Sequence, residues 1–194
     1  MLDSPVDEPT DVALMLRVRA DDEHAFAELY RRHCARVLSF FHGLSRNDHT
    51  ASDLCQETFV RIWTLRRRYA ATGAFPAYLM SVARHIWLEH SRESRKAWRL
   101  GWPVVLSDVE HLIESGSHGR PDDSAQLSEI QRHVFDAMAE LPEDQQMAFV
   151  LRMVSGLSNE EIAQVMECPV NTVRSRKLLA IKKLRDALRG LLVL

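Results

Sequence analysis

Nine histidines and three cysteines are the residues of this chain that could hold a metal or act as nucleophiles. Their spacing suits neither task. His85 and His90 stand five apart, so they do not share a helix face as an i, i+4 pair would, and no HExxH pattern occurs. His33 and Cys34 are adjacent and point apart. Cys34, Cys55 and Cys168 are widely spaced with no CxxC, which suggests neither a disulfide framework nor a zinc site and fits a reducing cytosol. There is no GxGxxG, P-loop or nucleophile elbow. The expectation is therefore no catalytic residue, no metal and no cofactor, with Cys168 a buried, inert thiol. The chemistry that remains is recognition of a polyanion. Basic side chains track a phosphate backbone, and aromatic rings give bases a surface to stack on. One segment joins Ser81, Arg84, His85, Leu88, Arg92, Arg95, Lys96 and Arg99 with Tyr78, Trp87 and Trp98, though Trp87 reads as a packing residue beside Ile86. A second gathers Thr172, Arg174, Ser175, Arg176 and Lys177.

The formal charge at first argues the other way. Twenty-five basic and 27 acidic residues leave −2, an unpromising sum for a nucleic-acid binder. The sum conceals blocks. Residues 60–100 carry +7, residues 101–145 carry −8 and residues 169–194 carry +6. Ordinary surfaces intersperse their signs. Two basic blocks on one chain suggest two contacts with a polyanion.

These residues need elements to position them. At 194 residues the chain makes one large domain or two small ones, and 46% apolar with 27% charged residues is the composition of a soluble globular protein. No apolar run is long enough to span a membrane, and the acidic start is unlike a signal peptide. Seven Gly and seven Pro, with no Pro between Pro9 and Pro76, predict an all-α fold. Residues 1–9 read as a tail and 10–20 as a first helix. A second helix starts at Asp21-Asp22 and ends at Gly43, with Phe26, Leu29, Tyr30, Val37, Leu38 and Phe41 inward. A third runs from Thr50–Ser52 to about Arg67, burying Leu54, Cys55, Phe59, Ile62 and Trp63. The fourth spans about Pro76 to Trp98, with Phe75, Leu79, Val82 and Ile86 as its core stripe. Residues 100–127, rich in Gly, Pro, Asp and Ser, read as a linker. Helices are then expected over 124–140, from Leu141-Pro142 to Gly156, over 159–166, and from Val170 to Leu191.

Ser158 and Glu161 match a capping box at the start of the short helix. A tight turn, Glu167-Cys168-Pro169, separates it from a longer basic helix with Val173, Ala180, Leu184, Leu188 and Leu191 inward. Short capped helix, tight turn and longer basic helix form the helix-turn-helix pattern. The major groove admits one helix, whose first residues reach base edges; Arg174 and Arg176 can offer guanine a bidentate pair or bind phosphate.

The chain resembles the extracytoplasmic-function (ECF) class of bacterial RNA polymerase sigma factors, in the sigma-70 family. Two motifs carry the resemblance. One is SDLCQETFVRIW at residues 52–63, followed by FPAYLMSVARHIWLEHSRESRK at 75–96. The other is LPEDQQMAFVLRMVSGLSNEEIAQVMECPVNTVRSR at 141–176. The resemblance implies two small helical domains joined by an acidic linker. These are sigma domain 2 at 10–100, a linker at 101–123 that threads toward the polymerase channels, and sigma domain 4 at 124–194. It implies that Asp53, Leu54, Gln56, Glu57, Arg61 and Trp63 bind the clamp of the largest subunit of core RNA polymerase. Domain 4 would then meet the flap of the second subunit. Tyr78, Ser81, Arg84, His85, Arg92, Arg95 and Lys96 would contact the −10 promoter element, and Asn171, Thr172, Arg174, Ser175, Arg176 and Lys177 the −35 element. It further implies an anti-sigma factor as partner and a cytoplasmic location, at the membrane when such a factor holds it there, with no membrane insertion by the chain itself.

The chain departs from the family pattern at three places. His85 stands where Asn is usual, Asn171 where Gly is usual, and Leu178, Leu179 and Ile181 where further arginines are frequent. The rival reading is a helix-turn-helix regulator that acts without polymerase. Such a regulator would carry a ligand-binding or dimerisation domain in its first half, where this chain has SDLCQETFVRIW and a basic aromatic helix.

Overall fold

The computed structural model describes residues 8–99 and 133–189, all in helices and short turns. The first half holds α1 (Asp11–Arg19), α2 (Glu23–Ser45), α3 (Asp48–Leu65), a 3₁₀ turn at Arg66–Arg68, and α4 (Phe75–Arg99). The second holds α5 (133–139), α6 (Glu143–Met153), α7 (Asn159–Met166) and α8 (Val170–Leu188). The expected linker, Leu127, Ile130 and Leu191 lie outside the described residues.

Helix starts follow their caps. Thr10, Asp22, Asn47 and Ser158 each accept a backbone N–H three residues on, at 3.2, 3.0, 2.8 and 3.2 Å. At Ser158 the Glu161 carboxylate returns a bond to the Ser158 N–H at 2.8 Å, so the capping box is complete. The Asn47 cap starts α3 at Asp48, two residues before the expected start.

The end of α2 also moves. Gly43 does not stop it; the helix runs on to Ser45, and Arg46 turns the chain in the left-handed region at φ 56°. Gly43 serves a different purpose. A Cβ there would meet Val150 Cγ1 at 3.3 Å, so the missing side chain is what lets α2 and α6 lie close.

Inside the first half, both α2 and α4 pack against α3. Val37, Phe40 and Phe41 of α2 meet Ala51, Leu54, Cys55, Thr58, Phe59 and Ile62 of α3, all buried. Phe40, which the periodicity missed, is wholly buried, while Tyr30 and Leu38 are largely exposed. In the second half, Met147, Val150 and Leu151 of α6 pack with Ile162, Val165 and Met166 of α7 and Val173, Ala180 and Leu184 of α8. Phe149 is half-buried and Met153 exposed. The halves are in contact, α6 against α2 and α7 against α4, and their buried residues form a single cluster.

Two polar contacts tie the turns. The Asp21 carboxylate accepts from Arg66 Nε at 2.7 Å and Arg67 Nη2 at 2.8 Å, and these bonds, Arg67 first, hold it below the usual carboxylate range. His33, nearly buried on α2, places Nε2 2.8 Å from Asp11 Oδ2 of α1, and its ring lies 5.3 Å from Phe75 of α4. Burial depresses its pKa more than Asp11 restores it.

Ser158→Ala should cost about 1 kcal/mol, read as a lower urea midpoint with unchanged slope. The His33 prediction concerns pH. Its folded pKa lies below the unfolded value of 6.5, so below that pH the unfolded chain takes the proton first. Stability should fall as pH drops from 7 toward 5, and His33→Gln should flatten that part of the profile in urea titrations.

Candidate nucleic-acid and protein interfaces

Burying one stripe of α3 leaves Asp53, Gln56, Glu57 and Val60 exposed at i, i+3, i+4 and i+7. Val60, 64% exposed, is an apolar end to this row that motif reading passed over. Its signal was a β-branched residue on the polar side of the stripe. Arg61 spans two helices, donating to Glu57 Oε1 at 2.6 Å and to Glu89 Oε2 of α4 at 2.8 Å. The other two expected members turn inward. Leu54 is 5% exposed, in the core against α2. Trp63 is half-buried 5.1 Å from Phe26, with the Arg66 guanidinium 4.3 Å over its ring.

On α4 the core stripe is Phe75, Leu79 and Ile86 with Met80 and Ala83, while Val82 is half-buried. Ser81 Oγ donates to the Ala77 carbonyl at 2.9 Å, and His85 Nδ1 lies 2.9 Å from the Ser81 carbonyl. These contacts keep both side chains along the helix. His85, Arg92 and Lys96 are exposed. The side chains of Arg95, Trp98 and Arg99 lie outside those described. Tyr78 is half-buried, its ring edge-on to Tyr69 at 4.9 Å, and burial pushes its hydroxyl pKa up. Arg84 is mostly covered and stands 4.0 Å from Glu167, at the end of α7. Trp87 is half-buried in a 420 Å³ cleft between the two halves, beside His90 and Leu44. It packs, as expected from its place beside Ile86.

The α7–α8 turn is closed by Glu167 in the left-handed region at φ 53°, and the Cys168 N–H donates to the Ala163 carbonyl at 3.1 Å. Pro169 leads directly into α8, whose early residues diverge in role. Asn171, Arg174 and Ser175 are exposed and Thr172 is half-buried. Arg174 Nη1 donates to Asn171 Oδ1 at 3.4 Å, and Nη2 stands 3.9 Å from Glu160. Ser175 Oγ donates to the Thr172 carbonyl at 2.9 Å. Arg176 is turned back, ion-paired to Asp144 of α6 and donating to Cys168 Sγ at 3.5 Å. Cys168 is thus half-buried beside a cation and not sealed in the core. Lys177 follows Val173 by one turn, so it is half-buried; burial lowers its pKa, helped by Arg152 and Arg174. A phosphate placed among these three cations would relieve their repulsion. Farther along, Leu178, Leu179 and Ile181 are exposed.

Among the described residues no group of three or more His, Cys, Asp or Glu gathers to hold a metal ion.

Two family descriptions match this chain, sigma-70 region 2 over residues 29–97 and sigma-70 region 4 over residues 131–184. The chain is 32% identical to the ECF RNA polymerase sigma-E factor of Haemophilus influenzae, over 94% of this chain and 97% of that protein. It is 31% identical to the RNA polymerase sigma-H factor of Pseudomonas aeruginosa, over 94% and 95% of the two chains. Among solved structures, the sigma factor RpoE of Bartonella quintana, bound to the anti-sigma factor NepR, shares the fold with a TM-score of 0.68 at 22% identity, covering 84% of this chain and 96% of that one.

Proposed function

The chain belongs to the ECF class of the sigma-70 family of RNA polymerase sigma factors, and from that premise we propose how its helices divide the work of directing polymerase to promoters. The outward row of α3, Asp53, Gln56, Glu57 and Val60 with Arg61 at its edge, meets the clamp of core polymerase. The α4 surface of Ser81, His85, Arg92 and Lys96, with Tyr78 and Arg84, takes the −10 element. The first turns of α8 take the −35 element. Arg174, Asn171 and Ser175 face the DNA, Lys177 supplies charge, and Arg176 holds α8 on α6. The observation that carries this reading is the placement of the three surfaces. Each is the outward side of a helix whose other side is buried, in the family order along the chain.

The described arrangement is closed, since α7 touches α4. Elements 25 base pairs apart span about 85 Å at 3.4 Å per base pair. Engagement of both therefore requires the halves to separate on polymerase. Melting at −10 costs a few kcal/mol per unstacked base, which stacking and phosphate contacts offset. The protein acts as a specificity subunit, without catalysis of its own. The reading places it in the cytoplasm with polymerase, under an anti-sigma factor for which exposed Leu178, Leu179 and Ile181 offer apolar surface. Among the described residues no helix is long and apolar enough to cross a membrane.

The test is a mobility-shift assay on promoter duplex with and without core polymerase. The chain alone should bind weakly, and specific binding should require core. Tight sequence-specific binding by the free chain would instead mark a regulator independent of polymerase. Gln56→Ala combined with Glu57→Ala should reduce capture of core in a pull-down, and undiminished capture would remove α3 from the interface. Arg174→Ala should cost about 1–3 kcal/mol of −35 recognition with helix content unchanged, read by run-off transcription; an unchanged promoter preference would refute its role.

A further inference from the structure

Cys34 and Cys55 have no part in the reading above, yet the fold brings them together. Cys34 is on α2 and Cys55 on α3, and their Sγ atoms stand 4.0 Å apart where the helices cross. A disulfide holds its sulfurs at about 2.05 Å, so the gap to be closed is about 2 Å. The Cys55 thiol also points at the Cys34 carbonyl, 3.8 Å away.

The two thiols are unequal. Cys34 is half-buried, beside the exposed ring of Tyr30, and can be reached from solvent. Cys55 is 3% exposed, and burial pushes its pKa up to about 12, with Cys34 adding to the shift. A buried thiol that keeps its proton resists direct oxidation.

We propose that Cys34 and Cys55 form a redox site that a hydroperoxide closes into a reversible disulfide, fastening α3 to α2. Cys34 reacts first. Its thiolate attacks the outer peroxide oxygen, the O–O bond breaks, and Cys34 sulfenic acid and an alcohol (water, from hydrogen peroxide) result. Cys55 Sγ then attacks the Cys34 sulfur. The S–O bond breaks, and the departing hydroxide takes the Cys55 proton as water. One hydroperoxide thus removes two electrons from two thiols. A dithiol reductant restores both by exchange. Closing the gap shifts α3 at Cys55, next to Gln56, two residues after Asp53 and five before Val60. The effect on polymerase rests on the reading of α3 as the polymerase-facing helix.

The experiment uses the full chain, reduced, freed of reductant and treated with hydrogen peroxide, then mapped by non-reducing peptide mass spectrometry. A Cys34–Cys55 cross-linked peptide, lighter by two hydrogens and restored by dithiothreitol, is expected equally in the parent and in Cys168→Ser. Cys55→Ser should leave a sulfenic acid at Cys34 that dimedone traps, and Cys34→Ser should leave Cys55 unmodified. Absence of the cross-link, linkage to Cys168 or between chains, or oxidation of Cys55 in Cys34→Ser would overturn the site. Oxidised chain should bind core polymerase several-fold more weakly than reduced chain, and Cys34→Ser should be indifferent to peroxide. A cross-link that leaves affinity unchanged would overturn the switch. If the cross-link forms while Gln56→Ala with Glu57→Ala still binds core normally, the reading of α3 fails and the redox site stands.

Discussion

Burial of one stripe per helix is the constraint on which the molecule's surfaces depend. On α3, Ala51, Leu54, Cys55, Thr58, Phe59 and Ile62 are drawn onto α2 and α4. Helical geometry then leaves Asp53, Gln56, Glu57 and Val60 in water as a row. The same division on α8 buries Val173, Ala180 and Leu184 and presents Asn171, Arg174 and Ser175. The buried face cannot be altered without disturbing the outward one. A polar residue at Phe59 would lose the packing, and with it the angle at which the α3 row is held.

Charge is organised by the same packing. Of the basic block at residues 60–100, Arg61 is taken up by Glu57 and Glu89, and Arg66 and Arg67 by Asp21. Arg84 faces Glu167. Arg92 and Lys96 remain exposed on α4. The potential offered to a phosphate backbone is thus smaller than +7. In the C-terminal block Arg176 is likewise paired internally. A free chain with many of its cations so occupied is expected to have weak general affinity for DNA, in line with its net charge of −2.

Contact between the halves adds a restraint to the acidic segment that links them. It depends on Gly43 admitting Val150, on Arg46 donating to the Phe135 carbonyl and Asp136 at 3.2 and 2.9 Å, and on α7 lying along α4. These contacts cover part of the α4 surface. On the proposed reading, the energy that opens the halves would come from polymerase and promoter together, coupling specificity to assembly.

The sequence by itself determined the all-α class, the capping box at Ser158–Glu161, the limits of α7 and the two matched sigma regions, because local hydrogen-bonding chemistry and 3.6-residue periodicity are written in neighbouring residues. It also marked the basic surfaces, since charge blocks do not depend on folding. Tertiary structure decided which individual residues are exposed. Leu54 and Trp63 share a motif with Gln56, but Leu54 turns into the core, Trp63 is half-buried against it, and Val60 turns out. Arg176 lies two residues from Arg174 yet is held by Asp144, from 32 positions earlier. Gly43 looked like a stop and proved to be a point of close approach, while Cys34 and Cys55, 21 apart in sequence, became neighbours. Each depends on a partner distant in the chain, and such partners are identified only when helices cross.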